Sequence, residues 1–103
     1  MPKNTPPLPL PVRRALRKLG LDIREARLRR RIQSAVMAER VQVTRPTLSK
    51  LEKGDPRVGM GAYANALYVL GMVDRLGELA DIANDPVGRQ LASEALPHRI
   101  MSK

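Results

Sequence analysis

From Val12 onward the apolar positions recur at steps of three and four. Val12, Leu16, Leu19, Ile23 and Ala26 share one face of a helix expected over residues 12–31, with Pro11 suited to its first turn. Gly20 is the weak point of that helix, expected either to kink it or to set apart a leading turn. The run Arg29-Arg30-Arg31 closes it, where cations suit the helix dipole. Gln33-Ser34 opens a second, short helix through Val41. Thr44 is the natural N-cap of a third, its hydroxyl placed to accept from the N–H of Thr47, with Pro46 in the first turn and Leu48 and Leu51 facing inward. Gly54, followed by Asp55-Pro56, stops it.

The pattern predicts another helix over about 60–70, capped at Gly59 and stopped at Gly71, with Tyr63, Ala66, Leu67 and Leu70 as its apolar stripe. A further one fits 73–80 with Leu76 and Leu79 inside. Asp85-Pro86 starts a last helix to about 95, ended by Leu96-Pro97, and the segment from His98 on is a tail. No strand alternation appears, so the chain is expected to be all-α with five or six helices. Five of the nine prolines fall within residues 1–11 (Pro2, Pro6, Pro7, Pro9, Pro11), which read as a flexible arm that cannot be helical. The expected organisation is an arm (1–11), a helical domain (12–81) and a C-terminal short helix and tail (82–103).

Composition narrows the chemistry. The 103 residues contain no Cys, one His, no Phe or Trp and two Tyr. The core must be aliphatic, and neither a thiolate metal site nor a His-dependent triad has enough parts. No nucleophile–base pair or phosphate-cradling Gly loop is present, so an enzyme is not expected, nor is a cofactor or a metal. No run reaches a membrane-spanning length, and Met1–Thr5 has no long apolar segment behind it, so a soluble cytoplasmic protein is expected. Charge then points to a partner. Residues 1–31 carry ten basic and two acidic residues, whereas residues 61–103 carry four and five. A field of one sign concentrates polyanions, nucleic acid foremost, the alternative being a solvated face.

Two short helices joined by a tight turn form a helix-turn-helix. Ala38 is small where the two helices cross, Val43 plugs the turn, and Leu48 and Leu51 anchor the second helix from beneath. Its other face, with Thr44, Arg45, Thr47, Ser49 and Lys50, is polar and slim enough for a major groove. Arg45 and Lys50 are candidate base or phosphate readers, and Thr47 suits a thymine methyl or a phosphate. Thr44 is a cap and phosphate ligand together. Gln33 and Ser34 are placed to bind phosphate through backbone N–H groups, and Lys53 and Arg57 to reach the DNA backbone. The arginine run 29–31 either does likewise or is solvated.

Residues 19–71 resemble the Cro/CI-type, or XRE, helix-turn-helix family. Leu19–Arg27 is similar to its first helix, Ile32–Arg40 to its second, and Val43–Gly54 to its recognition helix and following turn. The resemblance implies a lambda-repressor-like fold, in which Arg27 and Glu52 form a structural ion pair between the first helix and the recognition helix. Two positions depart from the family. Gln42 stands where a glycine is common in the turn, so it either adopts a left-handed conformation at some cost or the turn differs. Ser34 stands where a glutamine is common, which replaces a direct base contact by a phosphate contact.

Gly59–Ala64, Leu67–Met72, Asp74–Asp81, Asp85–Gly88 and Leu96–Arg99 further resemble the HipB antitoxins, partners of HipA-type kinase toxins. This resemblance implies a dimeric repressor that autoregulates a toxin–antitoxin operon and binds a HipA-like kinase. The alternatives are a stand-alone regulator with no toxin, or an interaction protein that has lost specific DNA binding. Met72, Val73, Leu76 and Leu79 serve either as core or as a two-fold dimer interface on a palindromic operator.

Overall fold

The computed structural model describes residues 7–95. Residues 1–6 of the expected arm (1–11) and the expected helix end and tail from Leu96 on, His98 included, lie outside the described residues. Among those described there are six α-helices, one 3-10 turn and no strand: α1 (Leu10–Arg29), α2 (Ser34–Val41), α3 (Arg45–Glu52), α4 (Met60–Val69), α5 (Val73–Gly77), the 3-10 turn (Ile82–Asn84) and α6 (Pro86–Glu94). This is the all-α, lambda-repressor-like architecture expected.

The chain divides after Val73 into two compact units. In the first, α1 packs on α3, α3 on α2, and α2 on α4. The buried apolar residues are Ile23 and Ala26 of α1, Met37, Ala38 and Val41 of α2, Leu48 and Leu51 of α3, and Tyr63, Ala66 and Leu70 at α4. Leu19, Ile32, Val43 and Leu67 pack against them half-buried. The core is thus aliphatic apart from Tyr63, whose hydroxyl donates to the Asp55 carbonyl at 2.8 Å.

α1 departs from expectation at two points. It begins at Leu10, inside the stretch expected to be non-helical, because Pro11 falls in the first turn, where a missing N–H leaves no bond unmade. It also runs unbroken through Gly20. There the end of α3 crosses α1 so closely that a Cβ at Gly20 would sit 2.5 Å from the Gly54 nitrogen and 2.6 Å from the Leu51 carbonyl oxygen. The glycine is a contact point, not a hinge.

The turn between α2 and α3 takes the first of the two options open to it. Gln42 is left-handed (φ 68°, ψ 44°), its N–H bonds the Glu39 carbonyl, and the Val43 N–H bonds that of Ala38. Arg31, between α1 and α2, is left-handed as well (φ 55°). The Thr44 hydroxyl accepts from the Thr47 N–H at 3.2 Å, the cap the sequence predicts.

The second unit differs more. α5 stops at Gly77, after which the N–H groups of Glu78 and Leu79 bond carbonyls three residues back and the chain leaves the α path. Leu79, expected inside a helix to residue 80, is 71% exposed, while Leu76 is half-buried. The 3-10 turn is an addition the pattern did not announce. Asp85 caps α6, its carboxylate accepting from the Gly88 N–H at 3.0 Å. α6 has no buried residue.

Two substitutions test this backbone in opposite directions. Gly20→Ala drives a methyl into backbone atoms and should destabilise the chain by more than about 2 kcal/mol. Gln42→Gly removes a left-handed penalty of about 1–2 kcal/mol and adds back unfolded-chain entropy of about 0.4–1 kcal/mol. It should therefore stabilise by about 0.5–1 kcal/mol. Urea unfolding of both variants beside the parent measures each sign.

Candidate nucleic-acid interface

The sequence makes α3 amphipathic, and the structure uses both faces. Leu48, Leu51 and Glu52 are buried, and Arg45, Ser49, Lys50 and Lys53 are exposed. What holds α3 against α1 is a two-pronged ion pair. Arg27 Nε donates to Glu52 Oε2 at 2.8 Å and Nη2 to Oε1 at 3.0 Å, with both residues buried. The third prong, Nη1, donates to the Ile32 carbonyl at 2.9 Å. One guanidinium therefore ties together α1, α3 and the loop that leads into α2. Its hydrogen bond to Glu52 raises the Arg27 pKa, against the lowering from burial, so it stays charged.

Above this pair lies an open concavity of about 580 Å³. Its rim carries Arg24 from α1, Ser34 from α2, and Arg45, Ser49 and Lys53 from α3 and its end. Arg45 Nη2 donates to Ser34 Oγ at 3.4 Å, a long bond joining the starts of the two helices. Gln33, at the N-cap of α2, makes no side-chain cap bond and is exposed. Because Glu52 is already committed to Arg27, the charge left facing outward at this rim is positive.

A second concavity lies at the other flank of α3, lined by Thr47, Lys50, Arg57, Val58, Gly59 and Ala62. Thr47 is half-buried and its hydroxyl accepts from that of Thr44 at 3.0 Å. Arg57 is held by Asp55, whose carboxylate accepts from the Arg57 N–H (2.8 Å), Nε (3.1 Å) and Nη2 (2.9 Å). Those bonds hold the Asp55 carboxyl below its usual range. The Arg57 side chain remains 84% exposed, oriented but available.

The nine residues singled out from the sequence as DNA contacts thus occupy α3 with the segment after it, its cap, and the start of α2. Met72 and Val73 close the first unit half-buried, and Leu76 and Leu79 belong to the second. Sequence reasoning missed Arg24, although it lies one turn before Arg27. Arg30, which the sequence groups with Arg29 and Arg31 as a candidate backbone contact, is used otherwise. It donates to the carbonyls of Ala26 (2.9 Å) and Leu70 (3.2 Å), which clasps the ends of α1 and α4. Among the described residues no cluster of His, Asp or Glu could hold a metal ion, and no helix is long and apolar enough to cross a membrane.

A family model described as a helix-turn-helix domain matches residues 18–80, more than half of the chain. The chain belongs to this helix-turn-helix family. No curated protein and no solved structure matches the chain. The match spans α2, the turn and α3 with the helices that brace them, so the helix-turn-helix protein is a DNA-binding regulator.

The ion pair at the base of the helix-turn-helix gives a clear test. Glu52→Ala leaves the Arg27 guanidinium buried without its partner. It should cost about 3 kcal/mol, the low end for a buried pair because a sliver of each group still meets solvent. Replacing both, Arg27→Met with Glu52→Leu, should cost less than Glu52→Ala alone. A double-mutant cycle by thermal unfolding reads the difference.

Proposed function

We propose that this helix-turn-helix protein is a sequence-specific repressor that grips double-stranded DNA as a homodimer. One observation supports it most directly. Arg45, Thr47, Ser49 and Lys50 present hydrogen-bonding groups along the side of an eight-residue helix whose opposite face is anchored by Leu48 and Leu51. A helix of that length fits a major groove, where arginine is the commonest bidentate partner of guanine. Gln33, Ser34 and Thr44 at the two helix starts, with Lys53 and Arg57 beyond α3, then serve the phosphates on either side.

Dimerisation rests on a different feature. The second unit exposes Leu79, Ile82, Val87 and Leu91, at 58–71% of their surface, and buries no residue of α6. Leu76 and Leu79, with Met72 and Val73 before them, form the interface in this reading. Two copies would read the half-sites of a palindrome about 34–36 Å apart. The finer assignment, a HipB-like antitoxin that represses its own operon and restrains a HipA-like kinase, rests on the resemblance of the segments after Gly54. The family match supports equally a stand-alone regulator. Neither role calls for a cofactor or catalysis, and both place the protein in a bacterial cytoplasm.

The tests separate these levels. Duplexes enriched from a random pool by the full chain should lose about 1–3 kcal/mol of binding for each bidentate contact removed in Arg45→Ala and Lys50→Ala. Unchanged affinity and preference would overturn the assignment of α3 as the reading helix. Co-purification of the tagged chain from its native host should bring down a kinase-like protein in stoichiometric amount. A homodimer alone, with the candidate kinase expressed, decides for the stand-alone regulator.

A further inference from the structure

α1 extends well beyond its fully buried residues, with Leu16 and Leu19 half-buried before them. Its buried residues begin only at Gly20, half-way along, and continue with Ile23, Ala26 and Arg27. The leading half carries Arg13, Arg14, Arg17 and Lys18, and no acidic residue lies in the first turn. Cations near a helix N-terminus oppose the macrodipole, and like charges four apart repel.

The positions of these cations show what they have in common. At about 100° per residue, Arg13, Arg17 and Arg24 fall within about 40° of arc on one side of α1, next to Gly20 and Arg27. That is the side against which the end of α3 packs. Arg13 and Arg17 line a concavity of about 240 Å³ together with Lys53, Gly54, Asp55 and Pro56. Lys53 is shared with the larger concavity, whose rim Arg24 forms. The stripe on α1 is therefore continuous, through Lys53, with the flank of the recognition helix.

None of the acidic groups nearby forms an ion pair with it. Asp55 is taken by Arg57 and Glu52 by Arg27. Lys18 pairs with Asp22 on the far side of α1. Among the described residues Arg13, Arg17 and Arg24 form no salt bridge. From Arg13 to Arg24 is about 17 Å along the helix axis.

We propose that Arg13, Arg17 and Arg24 form a phosphate rail, a second DNA contact in which α1 lies along the sugar–phosphate backbone flanking the site read by α3. The proposal rests on the DNA-binding reading and assigns α1 the sequence-independent part of it. The rail contributes affinity and salt dependence, and α3 contributes discrimination. The repulsion along α1 is relieved when the arginines take the place of the counterions condensed on the phosphates.

The test uses the full chain and two 25-bp duplexes, one enriched by it from a random pool and one with the same bases scrambled. Fluorescence anisotropy reads binding from 50 to 200 mM KCl. Replacing Arg13, Arg17 and Arg24 by Ala should flatten the slope of log K against log[salt] by about 2–3, at about 0.9 for each phosphate no longer neutralised. The ratio between the two duplexes should stay unchanged. Replacing all three by Lys should restore most of the slope. An equal removal of charge outside the stripe, Arg14, Lys18 and Arg40 to Ala, should change the slope by less than half as much. Equal slopes in the two triple-alanine variants would overturn the rail, because only overall charge would then matter. A loss of the duplex ratio in the rail variant would also overturn it, by making these residues part of sequence reading. Failure of the parent chain to enrich or bind any duplex would overturn the DNA-binding reading itself, and the rail with it. The three arginines are exposed, so all variants should melt within a few degrees of the parent.

Discussion

The Arg27–Glu52 pair is the constraint on which the helix-turn-helix depends. A guanidinium and a carboxylate are costly to bury, and their burial is tolerated here because every prong has a partner. Two prongs fix the end of α3 and the third fixes the loop before α2. An apolar contact between α1 and α3 would allow the helices to slide. A bidentate bond to one carboxylate does not, since its geometry is met in a single register. The close approach at Gly20 and Gly54 serves the same end, because it brings two backbones near enough for the side chains of Arg27 and Glu52 to meet.

The same pair shapes the electrostatics of the surface. Glu52 is an acid at the end of the helix assigned to DNA reading, and an uncommitted carboxylate there would repel phosphate. Bonded to Arg27, it becomes structural, and the rim above it is left with Arg24, Arg45 and Lys53. Asp55 is handled likewise, its bonds to Arg57 turning an acid into a brace that aims a cation. Both acids at the end of α3 are thus bonded to arginines, and Arg24, Arg45, Lys50 and Lys53 remain exposed around it.

The two units of the chain follow different physical logic. The first encloses an aliphatic core small enough to need the hydrogen bonds of Tyr63, Arg27 and Arg30 at its margins. The second has caps and turns but no buried residue in its helix, and its larger apolar side chains face outward. Local capping by Asp81 and Asp85 shapes such a segment without giving it a core.

Much of this was legible along the chain because it depends on neighbours within a few residues. Spacing at three and four placed α1 to α4, Thr44 and Asp85 announced two caps, and Leu48 with Leu51 separated the inner from the outer face of α3. Where the outcome turned on residues far apart in sequence, the pattern misled or was silent. Gly20 looked like a break in a helix and is a crossing point, which only the position of Gly54, thirty-four residues on, could reveal. Arg30 is exposed, as the sequence allows, but it also bonds a carbonyl forty residues away, which the pattern did not announce. Leu79 looked interior because periodicity cannot see that a helix stops at Gly77. Local periodicity and capping are short-range effects, so sequence alone determined where α2, α3 and α4 lie and the polar face of α3. Which charges are spent on one another and which remain for a partner depends on tertiary approach, and only the folded structure decided it.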